Sequence, residues 1–147
     1  MGKTVIFLCL MIVAILIVGC INRTPQTSSM GDIIVELKIH DSLPKSLTLH
    51  KDGTLIFTEG DKKDQISLSP GEVESLKQII LGNNFFSLNG KYEGSRCCDF
   101  VAHTITATIG DNTHTVYCYN ACPDGFSNIM QKIKSFWPYK IQYSGFA

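Results

Sequence analysis

From Val5 to Val18 the chain runs fourteen residues without a charge or a strongly polar side chain, VIFLCLMIVAILIV. A helix that is apolar all round must be wrapped by protein or lipid. No polar face is left to sit at the surface of a small domain, so the folded unit must be built from residues beyond Cys20. Lys3 precedes the run and Gly19-Cys20 closes it. A short basic start, a brief apolar core and a small residue before a cut form the pattern of a secretion signal. Positive charge is retained on the cytoplasmic side, which holds the N-terminus there while the rest is exported.

Ile17-Val18-Gly19-Cys20 resembles a lipobox, the recognition sequence of prokaryotic lipoprotein signals. The resemblance covers the first twenty residues. It implies that Gly19 is the last residue removed and that Cys20 becomes the lipidated first residue. Ile17 departs from the Leu more usual at its position. Thiolate sulfur is a strong nucleophile, which suits acyl transfer. Two or more acyl chains give stable anchoring where one is marginal. The same stretch also allows an uncleaved signal anchor, because Thr4 to Asn22 is 19 uncharged residues, close to the ~20 a spanning helix needs.

Cleavage of residues 1–19 from a chain of 147 leaves 128 residues, one ordinary domain. The 13 basic and 13 acidic residues balance, and losing Lys3 leaves a net charge of −1. No basic excess favours nucleic acid and no acidic tail favours cations. Residues 20–31 comprise the anchor and a polar spacer, NRTPQTSSMG from Asn22 to Gly31, a composition that favours a flexible linker. The folded domain is expected over residues 32–147.

Ile33, Val35, Leu37 and Ile39 alternate with Ile34, Glu36, Lys38 and His40, the period-two pattern of a half-buried strand. Leu47 and Leu49 continue it, Lys51-Asp52-Gly53 turns the chain, and Thr54 to Thr58 returns. A further short strand is expected at Gln65 to Leu68. Ser69-Pro70-Gly71-Glu72 opens a helix with a capping residue, proline at the first position and glutamate three residues after the cap. Val73, Leu76, Ile79 and Ile80 give its apolar stripe, and Gly82-Asn83-Asn84 ends it. Phe85, Phe86 and Leu88 form an apolar clip, and Asn89 to Gly94 is expected as an exposed loop. Phe100 to Ile109 predicts a long strand, Gly110-Asp111-Asn112 a turn, and Thr115 to Tyr119 the return. Pro123 suits a second helix start, with Phe126, Ile129, Met130, Ile133, Phe136 and Trp137 on one stripe; a last strand is expected at Lys140 to Tyr143. The order implies an α+β domain of two layers, an antiparallel sheet with both helices on one face. The segments DGTLIF, LSPGEVESLKQII, NNFFSL and TITATIGDNTHTV also resemble uncharacterised small extracytoplasmic lipoprotein domains of prokaryotes. That likeness, over Leu47 to Trp137, rests on turns, caps and core positions and implies no active site.

Four cysteines remain beyond the anchor, Cys97, Cys98, Cys118 and Cys122. Outside the cytoplasm, an even number of thiols points to disulfides. Bonding Cys97 to Cys98 joins Cα atoms about 3.8 Å apart, below the usual minimum of about 4.4 Å. Each is therefore expected to bond to one of Cys118 and Cys122. A two-residue Asp111-Asn112 loop would place Cys118 opposite Ile105 and Cys122 opposite Val101. Adjacent thiols with His103 or His114 leave a soft-metal site as one alternative, and redox-active or free thiols as another.

The four histidines, His40, His50, His103 and His114, fall on strands or turns as surface hydrogen-bonding groups. Asp99 and His103 form part of a triad without a serine elbow. There is no phosphate-binding loop, dinucleotide fingerprint or zinc-protease motif, so no catalytic residue, cofactor or metal is assigned. The functional expectation is a tethered binding or inhibitory module facing a protein or cell-wall partner. A structural envelope component and a small hydrolase or redox enzyme stand as alternatives.

Overall fold

The computed structural model describes residues 33–95 and 101–137. The signal, the lipidation candidate Cys20, the spacer, Cys97, Cys98, Asp99 and the expected strand at Lys140 to Tyr143 lie outside them. The described residues form an α+β domain with one seven-stranded sheet and two helices.

The first four strands are a meander, β1 (Ile33–His40), β2 (Lys45–Leu49), β3 (Thr54–Glu59) and β4 (Lys62–Ser67). Their registers place Val35 opposite Leu49, Leu37 opposite Leu47, and Leu47 opposite Phe57. The inward face is thus a continuous apolar surface. At the β2–β3 turn, Gly53 has φ +82° and its N–H donates to the His50 carbonyl at 3.0 Å. The Asp52 carboxylate accepts from the Thr54 N–H at 2.9 Å, a local bond that fixes the return. β4 begins at Lys62, earlier than the expected Gln65. Gly60, at φ +56°, lets Glu59 pair with Lys62 across a two-residue loop.

Helix α1 (Pro70–Gly82) starts as its sequence dictates. The Ser69 backbone N–H donates to Glu72 Oε2 at 2.8 Å, and the Glu72 N–H donates to Ser69 Oγ at 3.4 Å. This reciprocal capping box satisfies N–H groups that no helical carbonyl reaches. Val73, Leu76 and Ile80 are buried on the sheet. Asn84, at φ +51°, turns the chain into a single 3₁₀ turn (Phe85–Ser87), where Phe85 is buried with its ring 5.5 Å from that of His114. His114 Nε2 lies 2.9 Å from the Leu88 carbonyl, which ties the clip to the sheet.

The expected loop over Asn89 to Gly94 is instead partly strand. β5 (Lys91–Glu93) pairs in parallel with residues 117–119, with Tyr92 beside Cys118. Three residues are too few to show an alternation, and the pairing depends on a distant partner. β6 (Ala102–Ile109) lies beside β1, and β7 (Asn112–Tyr119) beside β6. Sheet order is β4-β3-β2-β1-β6-β7-β5, with every neighbouring pair antiparallel except β5 and β7. The β6–β7 register differs from expectation by two residues. Ile109 pairs with Asn112, so the loop is Gly110-Asp111, and Cys118 faces His103 rather than Ile105. The reason is Gly110, whose φ of +58° takes the loop position that L side chains disfavour.

Helix α2 (Asp124–Ser135) follows Pro123 and buries Phe126, Ile129 and Ile133. It approaches the end of α1 at Gly125, where a Cβ would meet the Asn83 carbonyl at 3.0 Å. Asn128 Nδ2 donates to Asn83 Oδ1 at 3.1 Å, and Asn83 Nδ2 donates to the Ile79 carbonyl at 2.8 Å, linking the two helices. Trp137 packs half-buried with its ring 5.3 Å from Phe57. Both helices share one core with the inward side chains of the sheet, so they cover one face, and no described element packs on the other.

Candidate functional site

The cysteine corner departs from expectation. Cys118 is bonded to Cys122, with Cα atoms 5.5 Å apart. Bonds from Cys118 and Cys122 to Cys97 and Cys98 are therefore replaced by one within the second pair. The backbone explains it. Asn120 stands at φ +61°, and the Ala121 N–H donates to the Tyr119 carbonyl at 2.8 Å. This tight bend folds Cys122 back over Cys118. Asparagine tolerates the left-handed region better than most side chains, so Tyr119-Asn120-Ala121 held the signal. Cys118 is fully buried in the core and Cys122 packs against it. The bond fastens the end of β7 to the start of α2. Beside it, the Gly94 N–H donates to the Tyr119 carbonyl at 2.9 Å and Asn120 Nδ2 to the Ser95 carbonyl at 3.0 Å. Among the described residues, no group of three or more His, Cys, Asp or Glu side chains is placed to hold a metal ion.

Period two puts every second side chain of the seven strands on the uncovered face. The registers align them into rows that cross the whole sheet. One row runs Lys63, Thr58, Ser46, Lys38, Thr104, Tyr117 and Lys91. In the next, Thr106 and Thr115 hydrogen-bond at 3.0 Å, and Thr108 and Thr113 beyond them at 2.9 Å. At one end, His40 Nε2 lies 2.8 Å from Thr104 Oγ1 and its ring 6.1 Å from that of Tyr117. Lys91 Nζ sits 5.9 Å from the Tyr117 ring centroid, within reach of a cation–π contact. Two of the lysines on this face are answered locally, Lys38 by Glu36 at 3.0 Å and Lys91 by Glu93 at 3.0 Å. An open concavity of about 550 Å³ continues the face toward the β1–β2 connection, with Lys38, His40, Asp41, Ser46, Thr58 and Asp61 in its lining.

On the opposite face, where β6 begins, stands the most perturbed group among the described residues. His103 is half-buried, and its Nε2 lies 3.1 Å from Lys134 Nζ. Burial, then the Lys134 charge, pushes the imidazole down to about 4, against a smaller upward effect of its hydrogen bond with the Val101 backbone. Burial also lowers Lys134, and Lys45 adds to it. The imidazole is therefore neutral near pH 7, and Nε2 accepts from the ammonium. Lys45 Nζ, itself nearly enclosed, has Glu59 at 3.3 Å and Asp41 at 3.6 Å. The sequence placed His103 as a surface group and tied it to Asp99. Its described partner is Lys134, thirty-one residues away on α2, a pairing no local spacing could disclose.

Neither the family models nor the curated proteins compared with the chain gave a match. Among the described residues no helix is long and apolar enough to cross a membrane.

Proposed function

We propose that the chain is a lipoprotein tethered outside the cytoplasm through Cys20, and that its domain is a binding or inhibitory module for an envelope or extracellular partner. The uncovered sheet face carries this reading. A seven-stranded sheet exposes one whole surface, and that surface is furnished with a Tyr117–His40–Lys91 cluster, a threonine ladder and an adjoining concavity. Aromatic residues supply much of the energy of protein interfaces, and a flat sheet face meets a partner without rearranging its backbone. The Cys118–Cys122 bond supports the compartment, because disulfides persist chiefly outside the cytoplasm. The lipobox-like segment supports the tether.

The test is affinity capture from intact envelopes with the lipidated chain as bait, run beside Tyr117→Ala and Thr106→Arg. Both positions lie on the open face, so the variants keep the core. The reading expects a partner recovered by the wild type and lost with both variants, while their circular dichroism and thermal unfolding match the parent. Recovery that is indifferent to both substitutions would remove the open face as the binding surface.

A further inference from the structure

We propose that His103 and Lys134 form an oxyanion-binding site, which takes up a carboxylate or phosphate group together with one proton on His103. The site lies on the helix side of the sheet, so it is separate from the open face and stands without the partner proposed for it.

Geometry carries the inference. His103 is on β6 and Lys134 on the last turn of α2, and their nitrogens are 3.1 Å apart. One side of the imidazole is committed by its hydrogen bond with the Val101 backbone. That leaves Nε2, which must accept from the ammonium while the ring is neutral. Lys134 has two further N–H donors. No carboxylate among the described residues lies within 4.0 Å of Lys134, whereas neighbouring Lys45 is answered by both Asp41 and Glu59. A half-buried ammonium whose described partner is a neutral ring nitrogen is costly, because little of its desolvation is repaid.

Among the described residues the other charged groups around the pair are His40 at the end of β1, Lys45 on β2, and, through Lys45, Asp41 and Glu59. Asp41 and Glu59 answer Lys45, so the attraction for an incoming negative group comes from Lys134 itself, whose described partner is a neutral ring. When one arrives, a proton from solvent adds to Nε2, the ammonium turns from the ring to the anion, and both groups donate to its oxygens. Two charge-assisted bonds replace one ammonium–imidazole bond. The free site carries one positive charge and the protonated site two; at the acidic pH where His103 holds its proton, phosphate is a monoanion, so it and a carboxylate each leave one positive charge. Binding and proton uptake are linked, and each strengthens the other.

The experiment is an NMR titration of the His103 imidazole in the intact chain, with sodium chloride, acetate or phosphate at equal ionic strength. The expected result is a His103 midpoint raised by about one pH unit in acetate or phosphate relative to chloride, a tenfold tighter hold on the proton. Anion affinity should then be about twofold higher at pH 5 than at pH 7, the difference growing toward tenfold only below about pH 4. A larger rise in phosphate than in acetate marks a phosphoryl group as the natural occupant, and the reverse marks an acidic side chain. Lys134→Met should abolish the response and Lys134→Arg should keep it. The wild-type comparison needs no variant to fold. Equal midpoints in all three salts, or a response retained by Lys134→Met, would overturn the proposal.

Discussion

At the scale of single residues, the chemistry of this domain is concentrated in groups whose neighbours lie far away in the chain. His103 is the clearest. Its folded titration falls to about 4 from an ordinary value of 6.5, chiefly through burial and then through Lys134. The sign is set by where the proton binds. Between pH 6.5 and about 4 the unfolded chain holds a proton on this imidazole and the folded chain does not. Stability from the neutral ring is therefore fully present above pH 6.5 and is lost as pH falls through that window. The group is half-exposed, so solvent screening reduces the effect to on the order of 1–2 kcal/mol. Urea unfolding of wild type and His103→Gln at closely spaced pH values checks it. The wild type should lose stability on acidification more steeply than the variant, and identical slopes would show that another group governs acid unfolding. His103 was visible as a strand histidine, but not its partner, because contact between β6 and α2 depends on the helix docking angle.

At the scale of elements, local chemistry was legible and register was not. The capping box at Ser69 and Glu72, the Asp52-Gly53 turn and the stripe of α1 each depend on residues within a few positions of one another, and all formed as read. The β6–β7 hairpin depends on which residue of Gly110-Asp111-Asn112 begins the loop. Glycine at the first loop position shifted the pairing by two and carried the cysteine geometry with it. The bond from Cys118 to Cys122 thus became a clasp over Asn120. Peptide mapping of the unreduced chain should recover Cys118 linked to Cys122, with Cys97 and Cys98 attached to neither. Closing so short a loop contributes about 2 kcal/mol by chain entropy, and Cys122→Ala should lower unfolding stability by about that amount. A peptide joining Cys97 or Cys98 to Cys118 would restore the cross-pair connectivity and remove the clasp.

At the scale of the whole molecule, the two faces of the sheet divide the labour. Periodicity read the division correctly, since alternation in β1 to β3 and the stripes of both helices point to the same side of one sheet. One face is consumed by the core, so the sheet can offer a partner only its other face or its ends. The proposed tether would give that open face its value. Two or more acyl chains on Cys20 would hold the domain at the membrane surface, and a spacer of about ten residues restricts it to within a few nanometres. Confinement of this kind raises the effective concentration of the domain toward any partner at the same membrane. The proposed anchor is therefore the whole-molecule reading most open to direct test. Cells grown with a labelled fatty acid should incorporate label into the wild-type chain and none into Cys20→Ser. The variant should remain as a longer precursor or leave the membrane fraction, while its Cys118–Cys122 bond still forms if export proceeds. A wild-type chain that carries no lipid and retains residues 1–19 would make the N-terminal segment a spanning anchor. The domain would then be held by a helix rather than by acyl chains, and the role of Cys20 would fall away while the open face kept its place at the membrane.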